Sequence, residues 1–208
     1  MIENTKFQLS INSQTSSFAR AFLIFDRTVL AEIPFTENEA TYALKQFEEN
    51  ELVIVNRYNE LILVAFADPL KVKGVFLEQC RKRGNEIAGI LRKEKIAGID
   101  IIVPAANPKA GLALAEGLLL GSYQFVKYQS AGKKKAWNLE KINFEGAEVS
   151  ENDINLLTIQ AEAVFIARDL VNEPASHLNA VKLAESFEAM GKVAGFSTDI
   201  YHKDKIEA

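Results

Sequence analysis

The stretch that most constrains this chain is "GIDIIVPAANP", residues 98–108. Its first half is a near-continuous apolar run of strand length, the pattern of a strand covered on both faces of a sheet. Its second half ends in Asn107-Pro108, an N-cap followed by proline at the first helical position, where the missing N–H costs nothing. A doubly covered strand that passes straight into a helix belongs to a layered α/β architecture.

The rest of the chain repeats that alternation. "ARAFLIF" at 19–25, "ELVIVNR" at 51–57 and "ELILVAF" at 60–66 are short, branched or aromatic runs that end in polar residues, and they predict strands. Tyr58-Asn59 is a tight turn between the last two, which predicts a hairpin. "QFVKY" and "KINFEG" are weaker strand candidates, and "FSTDIY" is a last one near the C-terminus. Thr36 and Glu39 are spaced as a capping box, with Ala40, Ala43, Leu44 and Phe47 marking the apolar face that follows. Residues 72–96 predict a long charged helix, broken near Gly84, and a helix from Pro108 runs to about Gly121. Ser150 and Asp153 start a further helix, followed at helical period by Ile154, Leu157, Ala161, Val164, Phe165, Arg168 and Val171. Pro174 stops it and pushes Glu173 out of α geometry. Leu183, Phe187 and Met190 define one more helix, ending near Gly191 or Gly195. The fold class expected is α/β, a mixed sheet with helices on both faces.

Composition narrows the function classes. With 24 basic against 28 acidic residues, the net charge of −4 gives no electrostatic reason to expect nucleic acid or an anionic membrane as partner. A single cysteine, Cys80, excludes an internal disulfide framework and fits a reducing compartment. The N-terminus has no apolar signal core, and the run from Ala110 to Gly121 is too short to span a bilayer. The expectation is a cytoplasmic protein. Lys133, Lys134 and Lys135 read as a solvated hairpin tip.

Chemistry is sparse. His177 and His202 have no metal-ligand spacing, and His177 reads as a linker residue. Cys80, mid-helix, reads as a buried inert thiol. Asp68, Asp100 and Asp153 stand singly and read as caps or turns. No nucleophile elbow, dinucleotide fingerprint or P-loop occurs. "VPAAN" at the end of a buried strand is where open α/β sheets bind ligands, although Asn107 reads more simply as a cap. No catalytic, cofactor-binding or metal-ligating residue is assigned.

Two segments in order resemble a known family. "ARDLVNEPASHLNAVKLAE" is similar to the junction before the catalytic domain of the leucyl (cytosol) aminopeptidases, the M17 metallopeptidases, through Asn172, Pro174, Ala175 and Leu178. Ser176 and Ala180 depart from the residues usual there. Upstream, Glu116, Gly117, Leu120, Tyr123, Phe125 and Tyr128 resemble the family's helix-to-strand signature. The resemblance implies a three-layer, macro-domain-like N-terminal domain over 1–150, a connecting helix over 151–174, and the beginning of the catalytic domain over 175–208. It also implies a parent that removes N-terminal residues from peptides with two divalent metal ions, zinc or manganese. The family's metal-ligand segments are absent from this sequence, so no catalysis is expected from these residues.

The segment's expected role is assembly, as a homo-hexamer with its own catalytic domain and other subunits, and access to the active site. Its residues 175–208 are expected to fold back on the connecting helix, pair with another copy, or lack order. The alternative is a free-standing macro-like module that binds ADP-ribose or a related nucleotide. DNA binding is disfavoured by the acidic balance.

Overall fold

A computed structural model describes residues 7–13, 18–104, 106–129, 137–146, 148–201 and 203–206. They form two compact units, residues 3–165 and 166–208.

The first unit is built on a six-stranded sheet in the order β1-β6-β5-β2-β4-β3. The strands are β1 (Gln8–Ile11), β2 (Ala19–Ile24), β3 (Leu52–Asn56), β4 (Leu61–Phe66), β5 (Gly98–Ile102) and β6 (Lys141–Glu145). All neighbours are parallel except β3 and β4, which form the hairpin expected around Tyr58. Tyr58 takes φ 66°, the left-handed backbone that a two-residue turn requires. The mixed α/β class is therefore present.

Alternation along the strands divides the core in two. Ala21, Leu63, Ile101, Ile142 and Phe144 point to one face and pack beneath α2 (Lys73–Glu94), α3 (Pro108–Ser122) and the first half of α4 (Glu151–Asn172). Phe22, Ile24, Ile62, Val64, Val53 and Val55 point to the other, under a 3-10 segment (Arg27–Glu32) and α1 (Glu37–Gln46). Each fully buried Leu, Ile or Phe contributes about 1.5–3 kcal/mol relative to exposure. The second core covers β2, β4 and β3 and reaches β5 at Ile102. On β5, β6 and β1 the same face carries Asp100, Asn143 and Ser10 instead.

The local signals hold at most helix starts. The capping box of α1 is closed in both directions, Thr36 accepting from the Glu39 amide and Glu39 from the Thr36 amide. Ser150 and Asp153 exchange the same kind of bonds. Several expectations are corrected. Helix α2 is unbroken at Gly84, because the glycine is where α3 crosses at backbone contact. Leu44 is exposed, while Ala43 and Phe47 alone anchor that stretch of α1. "QFVKY" forms a loop and turn rather than a strand. The sheet position between β5 and β1 is already filled by "KINFE", and Gln124 is tied instead to the Trp137 carbonyl at 2.5 Å. Lys133, Lys134 and Lys135 lie outside the described residues.

In the second unit, α4 ends at Asn172, whose side chain donates to the Arg168 carbonyl at 2.8 Å. Pro174 begins a turn in which the His177 and Leu178 amides donate to its carbonyl. Helix α5 (Ala180–Ala194) is N-capped by Asn179, which accepts from the Lys182 amide, and is closed by Gly195 at φ 81°. "FSTDIY" forms no strand, and a short helix α6 (Lys203–Ile206) follows.

Candidate functional site

The strand order reverses between β5 and β2: the chain leaves β2 toward β4 and β5 toward β6. In open α/β sheets ligands bind outside the carboxyl ends of strands at such a switch point. Here that place holds "VPAAN". The Val103 amide donates to the Glu145 carbonyl at 3.3 Å, and Gly146, at φ 77°, lies so near that a Cβ would stand 3.3 Å from the Val103 carbonyl. The chain then turns with the Asn107 amide bonded to the Pro104 carbonyl. Asn107 is the N-cap residue of α3 in position, yet its side chain makes no capping bond. Its backbone carbonyl takes the Ala110 and Gly111 amides, and Pro108 has none to give. With no amide on Pro108 and that of Ala110 taken, this helix start offers an anion few donors.

The more organised polar cluster was missed from sequence. Register places Ser10, Asn143, Asp100 and Arg20 side by side across β1, β6, β5 and β2. Asn143 is fully buried and Asp100 is 1% exposed. The Asn143 amide accepts from the Ser10 hydroxyl at 3.1 Å and the Ser13 backbone at 3.0 Å. It donates to Asp100 and Glu145 at 3.4 Å each. Lys141 donates to the Ser13 hydroxyl at 3.2 Å. Asp100 is thus a strand residue and not the cap or turn expected. The available signal was a single polar residue at the centre of "GIDII" and of "KINFE", where a strand covered by apolar layers would carry none.

The row continues into a charge ladder. Arg20 faces Glu60 at 3.5 Å and Glu145 at 4.0 Å, with its guanidinium over the Phe22 ring. Arg57 holds Glu39 through two bonds of 2.7 Å, reaches Glu60 at 3.0 Å and donates to the Pro34 carbonyl. Those bonds bring the Glu39 carboxyl down to about 2 and raise the Arg57 guanidinium, Glu39 being the largest cause. Carboxylates clasped by arginines are poor ligands for a pair of divalent cations. Among the described residues no three Asp, Glu, His or Cys side chains gather as a metal set.

The remaining sequence candidates stay apart. Cys80 is buried in α2, and burial pushes its thiol up to about 11. Asp68 accepts from the Leu70 amide in a turn, and Asp153 caps α4. His177 is exposed, with its Nδ1 3.1 Å from the Ser176 hydroxyl. His202 lies outside the described residues. A shallow depression of 380 Å³ lined by Phe18, Lys95, Ile96 and Gly98 opens at the amino end of β5, away from the switch point. No helix among the described residues is long and apolar enough to cross a membrane.

An open, mostly parallel α/β sheet followed by a long helix and a proline stop is the class these features define. No family model matches the chain. It is 28% identical over 140 residues to the probable cytosol aminopeptidase of Rippkaea orientalis, 66% of this chain and 28% of that protein. It is 29% identical over 196 residues to that of Treponema denticola, 86% of this chain and 40% of that protein. In fold it is similar to a tomato leucine aminopeptidase mutant, with TM-score 0.77 at 15% identity over the whole chain and 46% of that structure. It is also similar to the bottromycin maturation enzyme BotP, solved in complex with Mn, with TM-score 0.62 at 18% identity over 86% of the chain and 37% of that structure. The chain is a relative of the cytosol (leucyl) aminopeptidases, and it spans 28–40% of the length of these two curated relatives.

Proposed function

We propose that residues 1–150 are the non-catalytic, macro-like N-terminal domain of an M17-type metalloaminopeptidase. Residues 151–174 are its connecting helix, and residues 175–208 begin its catalytic domain. The observation that carries this reading is the junction. A 22-residue helix ends at Asn172, a proline turn follows, and a capped helix starts at Ala180, all inside the "ARDLVNEPASHLNA" motif.

The parent enzyme removes N-terminal residues from cytoplasmic peptides with two divalent ions, zinc or manganese, held by a later segment of the protein. Such a pair activates a bridging water and stabilises the tetrahedral oxyanion. The present residues supply assembly, as part of a homo-hexamer, and shape access to the active site. Deleting residues 1–150 from a protein that carries this chain ahead of the metal-binding segment tests the division. Retained metal uptake with a changed assembly state is the expected result. Loss of the metal ligands with that deletion would refute it.

The switch point at β5 and β2 favours a second reading, a module that binds ADP-ribose or a related nucleotide at "VPAAN". Calorimetry with ADP-ribose separates the two. The scaffold reading expects no binding tighter than about millimolar.

A further inference from the structure

The segment "ELVIVNR", residues 51–57, forms an edge strand whose outer side pairs with no other strand among the described residues. In the β3–β4 hairpin the Phe66 amide donates to the Glu51 carbonyl and the Arg57 amide to the Glu60 carbonyl. Residues 51, 53, 55 and 57 therefore turn their backbone groups inward to β4. Leu52, Ile54 and Asn56 turn theirs outward, and no partner for those groups exists among the described residues. Their side chains lie on the same sheet face as Leu61, Leu63 and Ala65, with Ile54 39% exposed.

Soluble proteins usually blunt such an edge with lysine, proline, a bulge or an inward charge. Leu52–Asn56 has none of these. It is instead self-complementary about Ile54. In an antiparallel pairing of two copies centred there, Ile54 faces Ile54, Val53 faces Val55, Leu52 faces Asn56 and Glu51 faces Arg57. Every outward amide and carbonyl of residues 52, 54 and 56 meets one of the opposite kind. No like charges oppose, Glu51 being held by Arg83 and Arg57 by Glu39 within each copy. The parity is also right, because the three residues that face one another are the three whose groups are free.

We infer that β3 is a homotypic pairing edge, taking a second copy of this chain in a two-fold antiparallel arrangement with Ile54 on the axis. The pairing makes one sheet continuous across both copies and rests on the strand itself, not on the aminopeptidase reading.

Register-specific cross-linking of the whole chain tests it. Paired residues that exchange backbone bonds have Cα atoms about 5.5 Å apart, within reach of a disulfide. Two copies of residue 56 would be roughly 13 Å apart, four residues out of register, and beyond that reach. Ile54→Cys should give a covalent dimer on mild oxidation, about tenfold or more faster than Asn56→Cys. The native Cys80 is buried and does not compete. Ile54→Lys, which sets two lysines against each other, should weaken the dimer about tenfold in sedimentation with an unchanged circular dichroism spectrum. Equal cross-linking of the two cysteine variants, or a chain that sediments as a monomer at every concentration, would overturn the inference.

Discussion

Replacing Gly84 by alanine tests the packing of α2 on α3 at its tightest point. A Cβ on Gly84 would stand 2.0 Å from the Leu114 carbonyl oxygen and 2.8 Å from the Leu118 nitrogen. The reciprocal contact lies one turn away, where a Cβ on Gly117 would stand 2.0 Å from the Arg81 carbonyl. Both obstacles are backbone, so neither can rotate aside, and the helices must separate by roughly 1 Å to restore van der Waals distance. A gap of 0.5–1 Å forfeits about a quarter to a half of each dispersion well across it. Cys80, Ala88, Leu91, Leu114 and Leu118 are all buried at this side of the core and would feel it. Overpacking of this kind costs about 1–3 kcal/mol, occasionally more, while alanine recovers about 0.5–1 kcal/mol of helix propensity. The obstruction here is at the severe end, so the net loss expected is about 2–3 kcal/mol. At about 2–4 °C per kcal/mol, the midpoint should fall by roughly 4–12 °C. Gly89, in the same helix, has nothing within 4 Å of its would-be Cβ, so Gly89→Ala should stabilise by about 0.5–1 kcal/mol. Thermal and urea unfolding followed by circular dichroism read both. If Gly84→Ala lies within about 0.5 kcal/mol of the parent, the close helix crossing is wrong.

Three further outcomes follow from the polar and titrating groups. Asn143→Ala strips Asp100, Ser10 and the Ser13 amide of a shared partner and should cost about 1–3 kcal/mol in urea unfolding; a neutral effect would mean the row is solvated. Glu39 is held well below its ordinary value, so its contribution is present above about pH 4.5 and lost as pH falls toward about 2. Arg57→Met should therefore flatten the fall in stability over that acid window, and an unchanged slope would remove Arg57 as the cause. Cys80, raised from 9.0 to about 11, should react with a disulfide reagent at pH 8 roughly 100-fold more slowly in the native chain than in urea. Burial adds to that difference, and equal rates would contradict it.

The elements legible in the sequence were those with a local cause. The capping box at Thr36, the Ser150 start, the stop at Pro174 and the hairpin at Tyr58 are written in a few adjacent residues. Segments that needed a partner were misread. "QFVKY" and "FSTDIY" have strand composition, but a strand exists only where another edge receives it. Gly84 looked like a helix breaker because its reason lies in α3, thirty residues on. The polar row was invisible for the same cause: Ser10, Arg20, Asp100 and Asn143 become neighbours only through strand order β1-β6-β5-β2. Asp100 alone suggests a turn, whereas Asp100 beside Asn143 is a buried, hydrogen-bonded pair.

The proposed role of these residues as a scaffold is tested most directly by assaying the purified 208-residue chain for release of leucine from a leucyl peptide in zinc or manganese. The account predicts no turnover and no stoichiometric metal uptake by calorimetry. Sustained cleavage by this chain, abolished by a chelator and restored by the metal, would contradict it.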